Sequence, residues 1–184
     1  PYTQPSFSRR NRLARALWNA VWLLLFRPSP RPCHAWRAFL LRRFGARLGP
    51  NCHIYPGAVI WAPWKLVCED HVGVADGAIL YNPGGIELRS HATVSQEAYL
   101  CGASHDPDDP DFPLIHAPIV VGAYAWICAR ASVQMGVTVG DGAILGLGGV
   151  ATRDLEPWTV YGGVPARAIR TRRRSAAGAA GAAE

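Results

Sequence analysis

Residues 121–149 read VGAYAWICARASVQMGVTVGDGAILGLGG, and their apolar residues recur with a period that neither a helix nor a simple strand possesses. Val121, Ile127, Val133, Val139 and Leu145 stand six apart, and Ala125, Ala131, Val137, Ala143 and Gly149 each follow four later. A helix repeats every 3.6 residues and a half-buried strand every two. A strict six fits a three-sided coil in which every face spends six residues and turns at a fixed corner, so that eighteen residues complete one turn.

The same beat runs upstream with one correction. Leu48, Ile54 and Ile60, then Cys68, Val74 and Leu80, then Leu88, Val94 and Leu100 form triplets with a step of six inside each and eight between them. The repeat is a coil of eighteen plus two extra residues at one corner. Leu48 should therefore stack on Cys68 and Leu88, Ile54 on Val74 and Val94, and Ile60 on Leu80 and Leu100, at the strand spacing of about 4.8 Å. Each coil hides its apolar residues only against its neighbours. The extras fall within 61–67, within 81–87 and, numbering fifteen, between Leu100 and Val121. The stretch CGASHDPDDPDFPLIHAPIV, 101–120, is thus expected as a long loop pushed out of a corner that already bulges. In so regular a frame a loop of that length is the natural place for function.

The chain has 184 residues, 49% of them hydrophobic, with 19 Gly and 15 Pro. One domain of this size buries about two thirds of its unfolded surface and needs no disulfide or metal to stay folded. The Gly and Pro content points to many tight turns and little long helix. Cys33, Cys52, Cys68, Cys101 and Cys128 are odd in number and form no C-x-x-C pair. That fits free thiols in a reducing cytoplasm better than a disulfide framework or a zinc knuckle. The apolar run 16–26 is broken by Asn19 and two Trp and precedes no small-residue cleavage site, and it is too short to cross a bilayer. The net charge of +6 gathers in RRNRLAR, LRRFGAR and RAIRTRRR. Those clusters lack interleaved groove-reading motifs, so nucleic acid is not an expected partner.

Residues 9–26 place Leu13, Leu17, Val21, Leu24 and Leu25 on one helical stripe with Arg12, Arg15 and Asn19 away from it. The Pro-rich RPSPRP stops that helix. Residues 33–43 give a second stripe through Trp36, Phe39 and Leu40, with Arg37, Arg42 and Arg43 outward. Both helices are expected to cap the first coil, whose strand edges would otherwise lie open. The organisation expected is a helical cap at 1–44, a β-solenoid at 45–160, a closing segment at 161–174, and a low-complexity, disordered tail at 175–184.

The hexads resemble the hexapeptide repeat of left-handed β-helix acyltransferases. SHD at 104–106, PIVVGAYAWICARASVQMGVTVGDGAILGLGGVATRDL at 118–155 and VYGGVPARAIR at 160–170 resemble the maltose, galactoside and nodulation acetyltransferases. Within that group, WRAFLLRRFGARLG at 36–49, PWKL at 63–66 and SQEAYLCGASHD at 95–106 resemble the colanic acid biosynthesis acetyltransferases. The resemblance spans about residues 10–172. It implies an all-β, left-handed solenoid, a hand that spacing cannot supply and that departs from the usual right-handed crossover. It also implies a homotrimer, acetyl-CoA held between adjacent subunits, and a sugar hydroxyl as acceptor in exopolysaccharide or capsule synthesis. The chain departs from the pattern in two places: Cys128 stands where the family has Gly, and Glu87 and Arg89 where it has I-G-D. Turn geometry at those places is in question.

Acyl transfer from a thioester to an alcohol needs a base for the hydroxyl proton, and imidazole suits that task at neutral pH. On its residues alone His105 could be a loop histidine without a task. At the family's His position it is the expected general base, worth about 10² to 10⁴ in rate. Asp106 is expected to orient or charge-balance the ring, and Asn82 and His116 to contact the substrate. The resemblance implies that Trp126, Gly148, Thr152, Arg153 and Arg167 bind the coenzyme. Arg suits its phosphates, and Gly148 would let the pantetheine arm approach the backbone. Trp126 reads equally well as a coil-face aromatic. Cys101 as a covalent nucleophile would need its own base in reach, and the family transfers directly within a ternary complex. His53, His71 and His91 occupy outward positions, and Arg172, Arg173 and Arg174 fit a solvated basic end.

Two other classes compete. A zinc-dependent hexapeptide protein of the carbonic anhydrase kind needs three converging His; His105 and His116 lie eleven apart and His71 and His91 match no such motif, so no metal is expected. A non-catalytic scaffold or membrane-surface adaptor would use the Leu/Trp/Arg helix as an interfacial anchor. The expectation reached is a cytoplasmic enzyme acting on a sugar or lipid-linked saccharide, with the first helix a cap and peripheral contact at the inner face of the plasma membrane a secondary reading of it.

Overall fold

The computed structural model describes residues 6–173. Strands mostly of two or three residues wind into a three-sided parallel solenoid of about six turns. Its register follows the hexad arithmetic residue for residue. The first face stacks Leu48, Cys68, Leu88, Val121 and Val139. The second stacks Ile54, Val74, Val94, Ile127, Leu145 and Tyr161, and the third Ile60, Leu80, Leu100, Val133 and Ala151. Except for Leu48 and Tyr161 at the two ends, these side chains are at most 3% exposed. Each larger aliphatic among them contributes about 1.5–3 kcal/mol of burial before chain entropy is offset. The departures from the family pattern leave the coil intact. Glu87 pairs in register with Val67 and Val120, and the N–H groups of Arg89 and Cys128 donate to the next coil at 2.9 Å.

A first coil has carbonyls that no earlier coil can reach. In the second coil, the carbonyls of Cys68, Val74 and Leu80 accept from the N–H groups of Gly49, Tyr55 and Trp61. Their counterparts one coil earlier are Leu48, Ile54 and Ile60, and side chains of the cap supply the donors. The cap comprises α1 (Arg9–Val21), a π-helical continuation (Trp22–Phe26) and α2 (His34–Arg43). Arg42 Nη2 donates to Leu48 O at 3.0 Å, Arg37 Nε to Ile54 O at 2.6 Å and the Trp18 indole to Ile60 O at 2.7 Å. The Trp22 indole adds a bond to Ala58 O at 2.9 Å. A buried carbonyl left unpaired costs about 1–3 kcal/mol, so these side chains terminate the stack.

Both helices are turned from the expected orientation, although Val21 and Leu40 of the expected stripes do pack on the core. On α2, Arg37 is fully buried while Trp36 and Phe39 are 41% and 51% exposed. The Arg37 guanidinium also donates to Ser29 Oγ, Pro30 O and Arg31 O at 2.8, 2.8 and 2.5 Å. The RPSPRP connection is rich in carbonyls and short of N–H donors, since proline has none. A five-donor side chain is therefore drawn inward to satisfy it, and burial lowers its pKa. On α1 the packed side carries Trp18 and, beyond it, Trp22 and Phe26, whereas Leu13, Leu17, Leu24 and Leu25 are exposed. An indole brings both apolar area and a hydrogen-bond donor to an open strand edge, which leucine cannot do. Arg15, away from the Leu stripe, lies over the Trp61 ring at 4.1 Å.

At the far end Thr159–Gly162 and Arg167–Thr171 pair antiparallel and close the stack. Arg172, expected to be solvated, donates to the carbonyls of Tyr124 and Gly142 at 2.8 and 3.0 Å. The tail at 175–184 lies outside the described residues.

Candidate active site

Three excursions leave the corner between the third and first faces, and two of them are closed. The side chain of Asn82 accepts from the Ala62 N–H and donates to the Ala62 carbonyl, both at 2.9 Å, and is fully buried. A bulge removes backbone groups from the ladder, and buried polar groups must be paired. Asn82, expected to touch substrate, is instead a clamp between coils.

The third excursion opens into an antiparallel hairpin, with Ala103–His105 paired to Leu114–His116. Its tip is built from aspartates: Asp106 Oδ1 accepts from the Asp108 N–H at 3.0 Å and Asp109 Oδ1 from the Asp111 N–H at 2.8 Å, the side-chain turn chemistry of Asp. Phe112 then takes a left-handed backbone, φ 48°, with its N–H on Asp109 O at 2.8 Å. This brings Phe112 back over His105, with the rings stacked at 4.8 Å and 5° apart. His105 Nδ1 lies 2.9 Å from Phe112 O. A carbonyl oxygen can only accept, so the neutral ring carries its proton on Nδ1 and keeps a lone pair on Nε2.

Asp106, expected to orient that ring, is committed to the turn, and the Phe112 carbonyl does the orienting. No residue type could mark this in advance, because every residue has a carbonyl; the turn decides which one arrives. His116 is exposed and sits opposite Ala103, on the hairpin face that also carries His105. The Cys101 thiol donates to Ala103 O at 3.2 Å, and the loop imidazole is turned to Phe112 instead. Beside the hairpin base, the first face holds a groove of about 540 Å³ between Arg47, Trp64, Lys65, Gly84, Glu87 and Pro118.

The expected coenzyme residues are distributed around the prism. Trp126 projects from the second face, 43% exposed, its indole held by Ser95 Oγ at 2.8 Å. Register could have located Ser95, since Trp126 pairs with Thr93 two residues before it. Gly148 has φ +64° and open space where a Cβ would stand. Thr152 and Arg153 are exposed at the hairpin's own corner in a later coil, and Arg167 on the closing strand. In a three-sided prism the second face lies opposite the hairpin's corner, so one protomer does not bring Trp126 and His105 together.

Among the described residues, one group brings three possible metal ligands together: Asp70, His71 and His91, within 4.8 Å. It contains neither loop histidine. The rings of His71, His91 and Tyr124 stack in a column at 4.7 and 4.6 Å, 11° and 7° apart, presenting faces rather than nitrogens to one another. Hydrogen bonds from Ser90 and His71 pull the Asp70 carboxyl down to about 2.

No protein-family model matches the chain. Over 166 residues it is 40% identical to the colanic acid biosynthesis acetyltransferase WcaF of Escherichia coli K12, covering 90% of this chain and 91% of that protein. A stretch of 53 residues is 42% identical to the galactoside O-acetyltransferase of the same organism, 29% of this chain and 26% of that one. A hexapeptide-repeat acetyltransferase from Vibrio cholerae, complexed with acetyl-CoA, superposes with a TM-score of 0.82 at 22% identity, over 92% of this chain and 93% of that one. Galactoside acetyltransferase in complex with coenzyme A gives 0.83 at 20%, over 92% and 86%. The two solved structures carry the left-handed β-helix fold alone. The near full-length identity to WcaF carries the family, and the chain belongs to the hexapeptide-repeat acetyltransferases.

Proposed function

We propose that this acetyltransferase moves the acetyl group of acetyl-CoA to a sugar hydroxyl in exopolysaccharide or capsule synthesis, working in the cytoplasm as a homotrimer. The observation that carries the reading is the His105 ring with Nδ1 bound to Phe112 O at 2.9 Å, which leaves Nε2 to act as base. Nε2 takes the hydroxyl proton as the sugar oxygen attacks the thioester carbonyl. The C–S bond then breaks, and the imidazolium returns the proton to the departing coenzyme sulfur. The Nδ1–H bond to Phe112 O persists throughout and steadies the cationic ring.

The distribution of the other residues supports a site shared between subunits. A neighbouring copy that set its second face against the hairpin would bring Trp126 to His105. Gly148 would leave room for the pantetheine arm, with Thr152, Arg153 and Arg167 taking the phosphates. The groove beside Trp64 and Lys65 and the exposed His116 would receive the saccharide, free or lipid-linked.

The test is thiol release from acetyl-CoA across a panel of saccharide acceptors, for wild type and His105→Ala. Acceptor-dependent release should fall by about 10² to 10⁴ in the variant. Unchanged turnover would falsify the assigned base, and a monomer by sedimentation that is fully active would end the shared site.

A further inference from the structure

Charge is divided along this chain. Residues 1–68 hold 11 of the 19 Lys and Arg and none of the 13 Asp and Glu, so that stretch carries +11 and the remainder −5. The cap lies in the cationic part, and its first helix with the π-helical continuation is apolar on two sides. Trp18 packs against the coil, while the opposite stripe leaves Leu13, Leu17 and Leu24 exposed by 73%, 61% and 69%. Trp36 and Phe39, stacked at 5.7 Å, extend that surface from α2, joined to it by the Trp36 indole on Leu25 O at 3.0 Å. Arg9, Arg10, Arg12, Arg27 and Arg43 are exposed on the same cap.

A helix apolar on both sides normally buries both. We propose that the outer stripe docks on an anionic lipid bilayer, with Leu13, Leu17 and Leu24 at the boundary of headgroups and acyl chains and the arginines on lipid phosphates. Charge decides between occupants. A second copy meeting through the same stripe would set one +11 region against another, whereas an anionic membrane complements it. Among the described residues no helix is long and apolar enough to cross a membrane, so the contact is peripheral. The docking does not depend on the chemistry at His105; combined with it, docking would hold the hairpin near a lipid-linked saccharide.

Flotation of the full chain with vesicles of phosphatidylcholine alone, or mixed with phosphatidylglycerol, tests this. Wild type should float with the anionic vesicles and release as salt rises. Arg9→Gln/Arg10→Gln/Arg12→Gln should lower the bound-to-free ratio about 10²-fold, and Leu13→Ser/Leu17→Ser/Leu24→Ser about tenfold or more. Both variants should keep the wild-type melting curve, sedimentation profile and turnover of a soluble acceptor. Absence of flotation, equal flotation with both vesicle types, or a Leu variant that floats like wild type overturns the proposal. A Leu variant that sediments as a smaller oligomer also overturns it, because the stripe would then be a subunit interface.

Discussion

At the corner between the third and first faces, the 61–65 and 81–85 excursions are tied together by Asn82, whereas the 101–118 excursion opens into the His105 hairpin. Both depart from the same geometric place and solve the same problem, backbone groups that a bulge has removed from the ladder. The closed pair solves it with the buried Asn82 amide and with the Lys65 ammonium on Pro83 O. The open one solves it by pairing with itself, strand to strand, and by turning aspartate side chains onto its own N–H groups. Closure ties neighbouring coils together; self-pairing lets a titratable ring stand outside the prism while its donor side is still held.

Four substitutions set the two forms against each other. His105→Ala should cost about 10² to 10⁴ in kcat with an unchanged melting temperature; an equally large loss of stability would show that the hairpin, too, is structural. Asn82→Ala reverses the pattern. It orphans the Ala62 N–H and carbonyl, and should lower unfolding free energy by about 2–3 kcal/mol while kcat per folded molecule stays at the wild-type level, measured by denaturant titration beside the thiol assay.

Phe112→Ala keeps the orienting carbonyl and loses only the ring stack, so kcat should drop by less than about tenfold. Phe112→Pro cannot adopt φ 48° and has no N–H for Asp109 O, and it should approach the His105→Ala level. Similar kcat values for the two Phe112 variants would show that the carbonyl is not the orienter.

The smallest effect belongs to the closed coils. Burial pushes the Cys68 thiol well above its ordinary range, so the folded chain resists losing that proton. Its contribution to stability is complete below about pH 8.5, the ordinary thiol value, and is lost as pH rises through the raised one. Between about pH 8 and pH 10 the denaturation midpoint of wild type should fall more steeply than that of Cys68→Ala. Parallel slopes would mean that this thiol loses its proton in the folded chain as readily as in the unfolded one, so that burial does not hold it.

Much of the frame was legible. Steps of six, with eights at one corner, predicted the partners of Leu48, Ile54 and Ile60 because a solenoid stacks residues by arithmetic, and each ladder is decided by local spacing. The cap was legible in place but not in orientation. Amphipathic patterning turned Arg37 outward and the Leu stripe inward, since it weighs apolar area alone. At an open strand edge the deciding quantity is the donor, which arginine and tryptophan possess and leucine lacks.

The residues of this chain by themselves determined the six-residue frame, the corner that opens and the histidine placed there, because each is a matter of counting along the backbone. Tertiary structure alone decided which carbonyl holds His105, that Asn82 is a clamp, and that Arg37 lies inside. Those outcomes depend on which unpaired polar groups the folded chain brings together, and such groups have no address in sequence until the coils have closed around them.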